Sequence, residues 1–264
     1  MDDNLEFKAK CSEQIEQQGR DKELKKKGMD WLVHAADTGY SHHFEWLGRP
    51  IIQLPQDIVG TQQILWKVQP DLIIETGIAR GGSLILYASL LELIAQCGGA
   101  ADAKVLGIDV DIRSHNKKAI LEHPMSKRIE MIEGSSVSQD VIAQVRKIAA
   151  KHQRILVCLD SNHTHEHVLQ ELELYAPLVS IGSYCIVFDT AIEDMPDGWF
   201  KDRPWGRGNN AKTAVHQFIG DLKSGKILSA DNASLQFEID KEIENQLLIT
   251  VAPDGYLRRV PNEV

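Results

Sequence analysis

Leu72-Ile73-Ile74-Glu75-Thr76-Gly77-Ile78-Ala79-Arg80-Gly81-Gly82-Ser83 decides how the rest of the chain is organised. A short apolar run ends in an acid, passes through a glycine-rich turn and enters an amphipathic segment over residues 84–93. That order predicts strand, tight turn and helix, the opening of a nucleotide-type cofactor site. Gly77, Gly81 and Gly82 permit a sharp bend and a close ligand approach. The spacing misses the dinucleotide pattern G-x-G-x-x-G. Glu75 at the strand end suits a cationic group, such as the amine of S-adenosylmethionine, and would repel a pyrophosphate. On this reading Glu75, Gly77, Ala79, Arg80, Gly81 and Ser83 cradle the cofactor. An ordinary glycine-rich strand-to-helix turn shares the pattern.

Outward from this turn, apolar runs alternate with helical stretches. Strands are expected over residues 72–75, 105–109, 129–133, 155–160 and 184–189, with a helix over 139–151. Such alternation implies a largely parallel sheet covered by helices on both faces. Ligands of such sheets sit beyond the carboxyl ends of the strands. Glu75, Asp109, Glu133, Asp160 and Asp189 close these five runs and are expected on one rim. Upstream, residues 5–35 read as polar and helical, with Lys25-Lys26-Lys27 on a solvated face. An aromatic and polar loop follows over 38–50, then a helix over 58–68 that Pro70 stops. In the tail, residues 234–240 and 247–252 read as two strands joined by a polar connection, like a hairpin. A parallel sheet finished by an antiparallel pair is the Rossmann-like class I methyltransferase layout. The expected division is a helical extension with a substrate-side loop over 1–57, then a cofactor-binding domain over 58–264 with a lid at about 190–210.

The chain has 264 residues, 43% of them hydrophobic and 25% charged, which fits a globular protein with a sizeable core. A formal net charge of -9 argues against a nucleic-acid partner held by phosphate neutralisation. The four cysteines form no C-x-x-C pair, and Cys158 and Cys185 fall in strand-like runs, as reduced core thiols would. The first residues lack a basic-plus-apolar leader pattern, and no apolar run reaches bilayer length. A cytoplasmic location without an integral membrane segment is expected.

Asp109, closing the second strand, is placed to bind two ribose hydroxyls of an adenosyl group, with Asp111 in reserve. Ser135 and Ser136 follow the third strand and are candidates for the adenine pocket. The densest chemistry is Asp160-Ser161-Asn162-His163-Thr164-His165-Glu166-His167. On a helix, alternate residues point about 200° apart, so the three histidines cannot face one ion. His163 and His167 are one turn apart, which leaves a zinc pair open. Alternatively, Asp160 and Asp189 on neighbouring strands present two carboxylates suited to Mg2+, with His163 beside them as general base.

These residues carry a resemblance. The chain resembles the cephalosporin hydroxylase / rhamnosyl O-methyltransferase family over residues 46–57, 74–83, 107–113, 133–136, 160–167, 187–190 and 203–210. The resemblance implies a class I S-adenosylmethionine-dependent methyltransferase. It further implies Mg2+ held by Asp160 and by an acidic pair after the next strand, with His163 as the base. Where relatives carry Glu-Asp, this chain reads Phe188-Asp189, so one carboxylate is missing. The ion would then be held more weakly, take a replacement ligand from Glu193, Asp194 or water, or be absent.

The segment 192–210 is long, aromatic and rich in glycine and proline, as an active-site lid would be. Trp205 is expected to stack on a sugar face, Arg203 and Arg207 to meet an anionic group, and Tyr40 and His42 to cover the same opening. The expected activity is O-methyl transfer to a sugar hydroxyl in a glycan, glycolipid or secondary metabolite. A non-haem iron hydroxylase using His163, His167 and Asp160, and a non-catalytic cofactor binder, are the alternatives. A homo-oligomer using the N-terminal helix is expected.

Overall fold

The alternating pattern closes into a seven-stranded sheet. The structure is a computed structural model that describes residues 2–224 and 235–262. Two helices come first, α1 (Asp3–Arg20) and α2 (Lys22–Asp37). They are separate because Asp21 leaves helical geometry and its carboxylate caps the Leu24 N–H at 2.9 Å. The short strands β1 (Phe44–Trp46) and β2 (Arg49–Ile51) form an antiparallel ribbon. The helix α3 (Pro55–Val68) then leads into β3 (Leu72–Thr76).

From β3 the chain alternates through α4 (Gly82–Gln96), β4 (Lys104–Asp109), α5 (Ser114–Leu121), β5 (Ile129–Glu133) and α6 (Gln139–Ala149). It continues through β6 (Ile155–Leu159), α7 (His165–Tyr175), β7 (Tyr184–Val187) and α8 (Ala211–Lys223). The strand order is β5-β4-β3-β6-β7, all parallel, followed by two antiparallel strands described below. Both faces of β3 are buried. Leu72 and Ile74 pack with α6, α7 and α8 residues such as Val145, Leu172 and Phe218, while Ile73 packs with α4 residues such as Leu84. A strand covered on both sides is apolar throughout, and that is why its sequence shows no alternation. Cys158 and Cys185 are buried free thiols.

The lateral order of strand addition reverses at the parallel β3–β6 pair, because β4 and β5 build to one side and β7 to the other. The crevice at that switch point is where such sheets bind ligands. The parallel strands deliver Glu133, Asp109, Glu75, Asp160 and Asp189 in lateral order along one end of the sheet.

The tail corrects one expectation. The antiparallel pair is β8 (Phe237–Ile239) and β9 (Tyr256–Arg259), and residues 241–247 form a helix, α9 (Lys241–Leu247). Asp240 caps α9 through the Glu242 and Ile243 N–H groups, and acids fill its first turn, so a helix wins over a hairpin connection. The apolar residues at 247–252 are held by other partners. Ile249 and Val251 pack against Leu32 and Leu54. Buried Asp57 accepts hydrogen bonds from Thr250, from the Val251 N–H and from the Tyr256 hydroxyl. Residue 234, the expected start of the first tail strand, lies outside the described residues. At the other end α1 packs against α9, where Gln18 donates to the Asn245 carbonyl.

Candidate active site

The glycine turn is fixed from both sides. Asp109 Oδ2 accepts the Ile78 N–H at 2.8 Å and the Ala79 N–H at 3.2 Å, and Oδ1 accepts the Asp111 N–H at 3.0 Å. The side expected to take ribose hydroxyls is therefore also the clamp of the turn. The carbonyls of the turn are held too: Asn116 donates to Ala79 O at 3.0 Å, and the Arg49 guanidinium donates to Arg80 O. Neither Asn116 nor Arg49 carries a sequence signal for this task. Gly77 has φ 91°, and a Cβ there would stand 2.0 Å from the Asp160 carbonyl oxygen. Only glycine lets the chain leave β3 this close to the end of β6.

Glu75 is fully buried. Ser83 donates to its Oε2 at 2.7 Å, and Oε1 has no partner. Burial pushes its carboxyl up to about 8, against the pull of the Ser83 hydrogen bond. It lies beneath the turn and lines neither cavity described below. Arg80 exposes its side chain and offers the turn its carbonyl; Arg80, Gly81 and Ser83 likewise line neither cavity.

At the rim, Asp160, His163 and Asp189 bring one ligand atom each within 4.8 Å of one another, the only such cluster of three among the described residues. His163 Nε2 lies 3.1 Å from Asp189 Oδ2. Asp189 adopts φ 58°, a left-handed conformation that aspartate tolerates better than most residues. Burial, then the neighbouring Asp189, Glu75 and Glu171 carboxyls, hold the Asp160 carboxyl well above its ordinary range. Acids crowded together at one rim have the electrostatics of a cation site.

The His163–His167 pair that the spacing left open does not form. His167 turns away from the rim, its Nε2 lying 3.2 Å from both Ser136 Oγ and Ser161 Oγ and 3.4 Å from Glu171 Oε1. His165 is tied to Asn209, Thr213 and Gln217 and so joins α7 to α8. Phe188, in place of the missing acid, is buried. Glu193 and Asp194 do not replace that acid. Glu193 accepts from the Gly208 N–H at 2.7 Å and from the Asn210 amide, and Asp194 pairs with Lys212 at 2.6 Å.

Two cavities flank the rim. The smaller, about 360 Å³, is lined by Gly77, Ala79, Asp109, Ser135, Ser136 and Asp160 among others. The larger, about 460 Å³, is lined by Tyr40, His42, His163, Asp189, Arg203 and Trp205 among others. Ala79, Asp160 and Ser161 line both, so the cavities meet beside the acid cluster. Trp205 closes the larger cavity, with its ring edge-on to His163 at 4.8 Å and the Arg203 guanidinium 5.3 Å from its centroid. Arg207 turns outward to Asp197 and lines neither cavity.

A family model described as Rhamnosyl O-methyltransferase/CmcI matches residues 38–260. A rhamnosyl O-methyltransferase of Mycobacterium tuberculosis is 29% identical over 204 residues, which is 77% of this chain and 73% of that protein. Among solved structures, a CmcI apo-structure superposes with a TM-score of 0.56 at 20% identity, covering 84% of this chain and 78% of its own. CmcI with Mg and SAM gives 0.53 at 18% identity, covering 83% and 78%. These two likenesses establish the Rossmann-like class I methyltransferase fold.

Proposed function

The chain belongs to the Rhamnosyl O-methyltransferase/CmcI family, and from that premise we propose that it methylates a hydroxyl of a sugar, in a glycan, glycolipid or secondary metabolite, with Mg2+ at the rim. The reaction is S-adenosylmethionine-dependent O-methyl transfer. One observation carries the proposal: two cavities of ligand size meet at Ala79, Asp160 and Ser161, as a donor and an acceptor must meet for the transfer.

The residues fit both groups. For the cofactor there are the Gly77 approach and the Asp109-clamped turn. For Mg2+ there are the Asp160 and Asp189 carboxylates, which are oxygen donors of the kind this ion takes. When bound, S-adenosylmethionine supplies an electrophilic methyl group and Mg2+ makes the acceptor hydroxyl more acidic. His163 accepts the hydroxyl proton at Nδ1, the nitrogen that does not face Asp189, and Asp189, 3.1 Å from Nε2, orients the imidazole and stabilises its protonated form. Trp205 and Arg203 shield the larger cavity from water and offer a sugar face an aromatic surface.

The test is calorimetry with S-adenosylhomocysteine, followed by incubation of the full chain with labelled S-adenosylmethionine and a panel of rhamnosides, nucleotide sugars and glycans. Binding and transfer of label to a sugar hydroxyl are expected. Binding without transfer across the panel would favour a non-catalytic cofactor protein, and no binding would overturn the proposal.

A further inference from the structure

Resting on the cofactor reading above, we propose that His167 contacts the nucleoside half of S-adenosylmethionine and that buried Glu171 positions it. The reacting sulfur belongs where the two cavities overlap, at Ala79, Asp160 and Ser161. The nucleoside then occupies the part of the smaller cavity that the larger does not share, walled by Asp109, Val110, Ser135, Ser136, Asn162 and His167.

His167 and Glu171 stand one turn apart on α7, so both face the same way. Glu171 is fully buried, and its Oε1 accepts the Ser161 hydroxyl at 2.7 Å. Its Oε2 has no partner. An unpaired buried carboxyl oxygen costs stability, and packing alone does not explain it. Three oxygens, from Ser136, Ser161 and Glu171, crowd His167 Nε2. That environment places the proton on Nε2 and leaves Nδ1, which has no protein partner among the described residues, as a hydrogen-bond acceptor. An acceptor in this wall matches the donors of an adenosine, its amino group and its ribose hydroxyls. The Tyr175 hydroxyl donates to the Ser136 carbonyl at 2.7 Å and steadies the opposite side of the same wall.

The experiment is calorimetry on the full chain with two probes. S-adenosylhomocysteine carries both halves of the cofactor; 5′-methylthioadenosine keeps the nucleoside and lacks the amino-acid half. His167→Leu is expected to weaken both probes by the same factor, about tenfold for one lost hydrogen bond with a buried partner. His167→Gln restores most of the affinity. Glu171→Gln weakens both probes alone and adds nothing in the His167→Leu background, as a residue acting through His167 requires. Unchanged affinity, or a loss confined to S-adenosylhomocysteine, overturns the proposal. Should His167→Leu fail to fold, imidazole nitrogen resonances of the wild-type chain decide. A shift of the His167 Nδ1 signal on adding 5′-methylthioadenosine supports the contact, and an unmoved signal overturns it. A wild-type chain that binds neither probe would instead sink the methyl-transfer reading itself.

Discussion

His163 and Glu75 show how differently single residues can serve one site. His163 is partly buried and lines the larger cavity, with Asp189 beside it in the same lining. His163→Ala is expected to lower kcat by about 10²–10⁴-fold, the usual worth of a general base, while S-adenosylhomocysteine affinity stays within about twofold. Equal losses in turnover and in cofactor affinity, measured by label transfer and calorimetry, would remove it from the base role. Glu75 makes its prediction through stability. Its folded carboxyl titrates at about 8 against an ordinary value of 4.5. The folded chain therefore keeps a proton that the unfolded chain releases near 4.5. The sign follows: this group's contribution is most favourable below 4.5 and declines as pH rises to about 8, levelling off at a penalty of at most about 5 kcal/mol. Glu75→Gln keeps the shape and removes the titration. Its melting temperature relative to wild type is expected to climb between pH 5 and pH 8 and then plateau. A difference that stays flat across that range would contradict the buried, proton-holding state of Glu75.

At the scale of elements, the lid following β7 depends on a small hydrogen-bonded base. Glu193 accepts from Gly208 and Asn210, Asn210 donates on to the Gly206 carbonyl at 2.8 Å, and Asn210 with Thr213 completes a capping box at the start of α8. The Gly208 and Asn210 hydrogen bonds pull the Glu193 carboxyl down despite the opposing effect of its partial burial. Glu193→Ala leaves these donors without their charged acceptor, a loss of about 1.5–3 kcal/mol per such contact before solvent replaces part of it. Faster proteolysis within residues 195–208 and a raised KM for the acceptor are expected, with S-adenosylhomocysteine affinity unchanged because the smaller cavity lies across the rim. A protease pattern identical to wild type would show that Glu193 does not hold the lid. Element by element, the sequence was legible wherever the signal was local. The strand ending at Glu75, the turn after it and the helix α4 follow from apolar run, glycine spacing and helical periodicity. The tail was misread because residues 247–252 look apolar enough for a strand, and only the partners provided by Leu32, Leu54 and Asp57 explain why they instead pack as an irregular segment.

At the scale of the whole molecule, the parallel sheet collects acids from strands far apart in sequence onto one end. Asp160 and Asp189 gather beside His163 there, without Phe188 contributing the further carboxylate that the resemblance would supply. If Mg2+ binds there, it stabilises the folded chain by mass action, about 2.7 kcal/mol at a hundredfold excess over Kd. A Mg2+-dependent rise in melting temperature at pH 8 is expected for wild type and is expected to vanish in Asp189→Asn, since asparagine tolerates the φ of 58° at this position. Absence of that rise in wild type would remove the metal from the site. No helix among the described residues is long and apolar enough to cross a membrane. The sequence by itself determined the alternation of strand and helix units along the chain, the glycine turn and the set of acids at strand ends, because these depend on short-range periodicity and backbone freedom. Only the tertiary structure decided that Asp109 clamps the turn, that Glu75 lies beneath the cavities, and that His163 lines the larger cavity while His167 lines the smaller. Where a side chain points, and what shares its space, is set by packing between elements distant in the chain, and no local pattern encodes it.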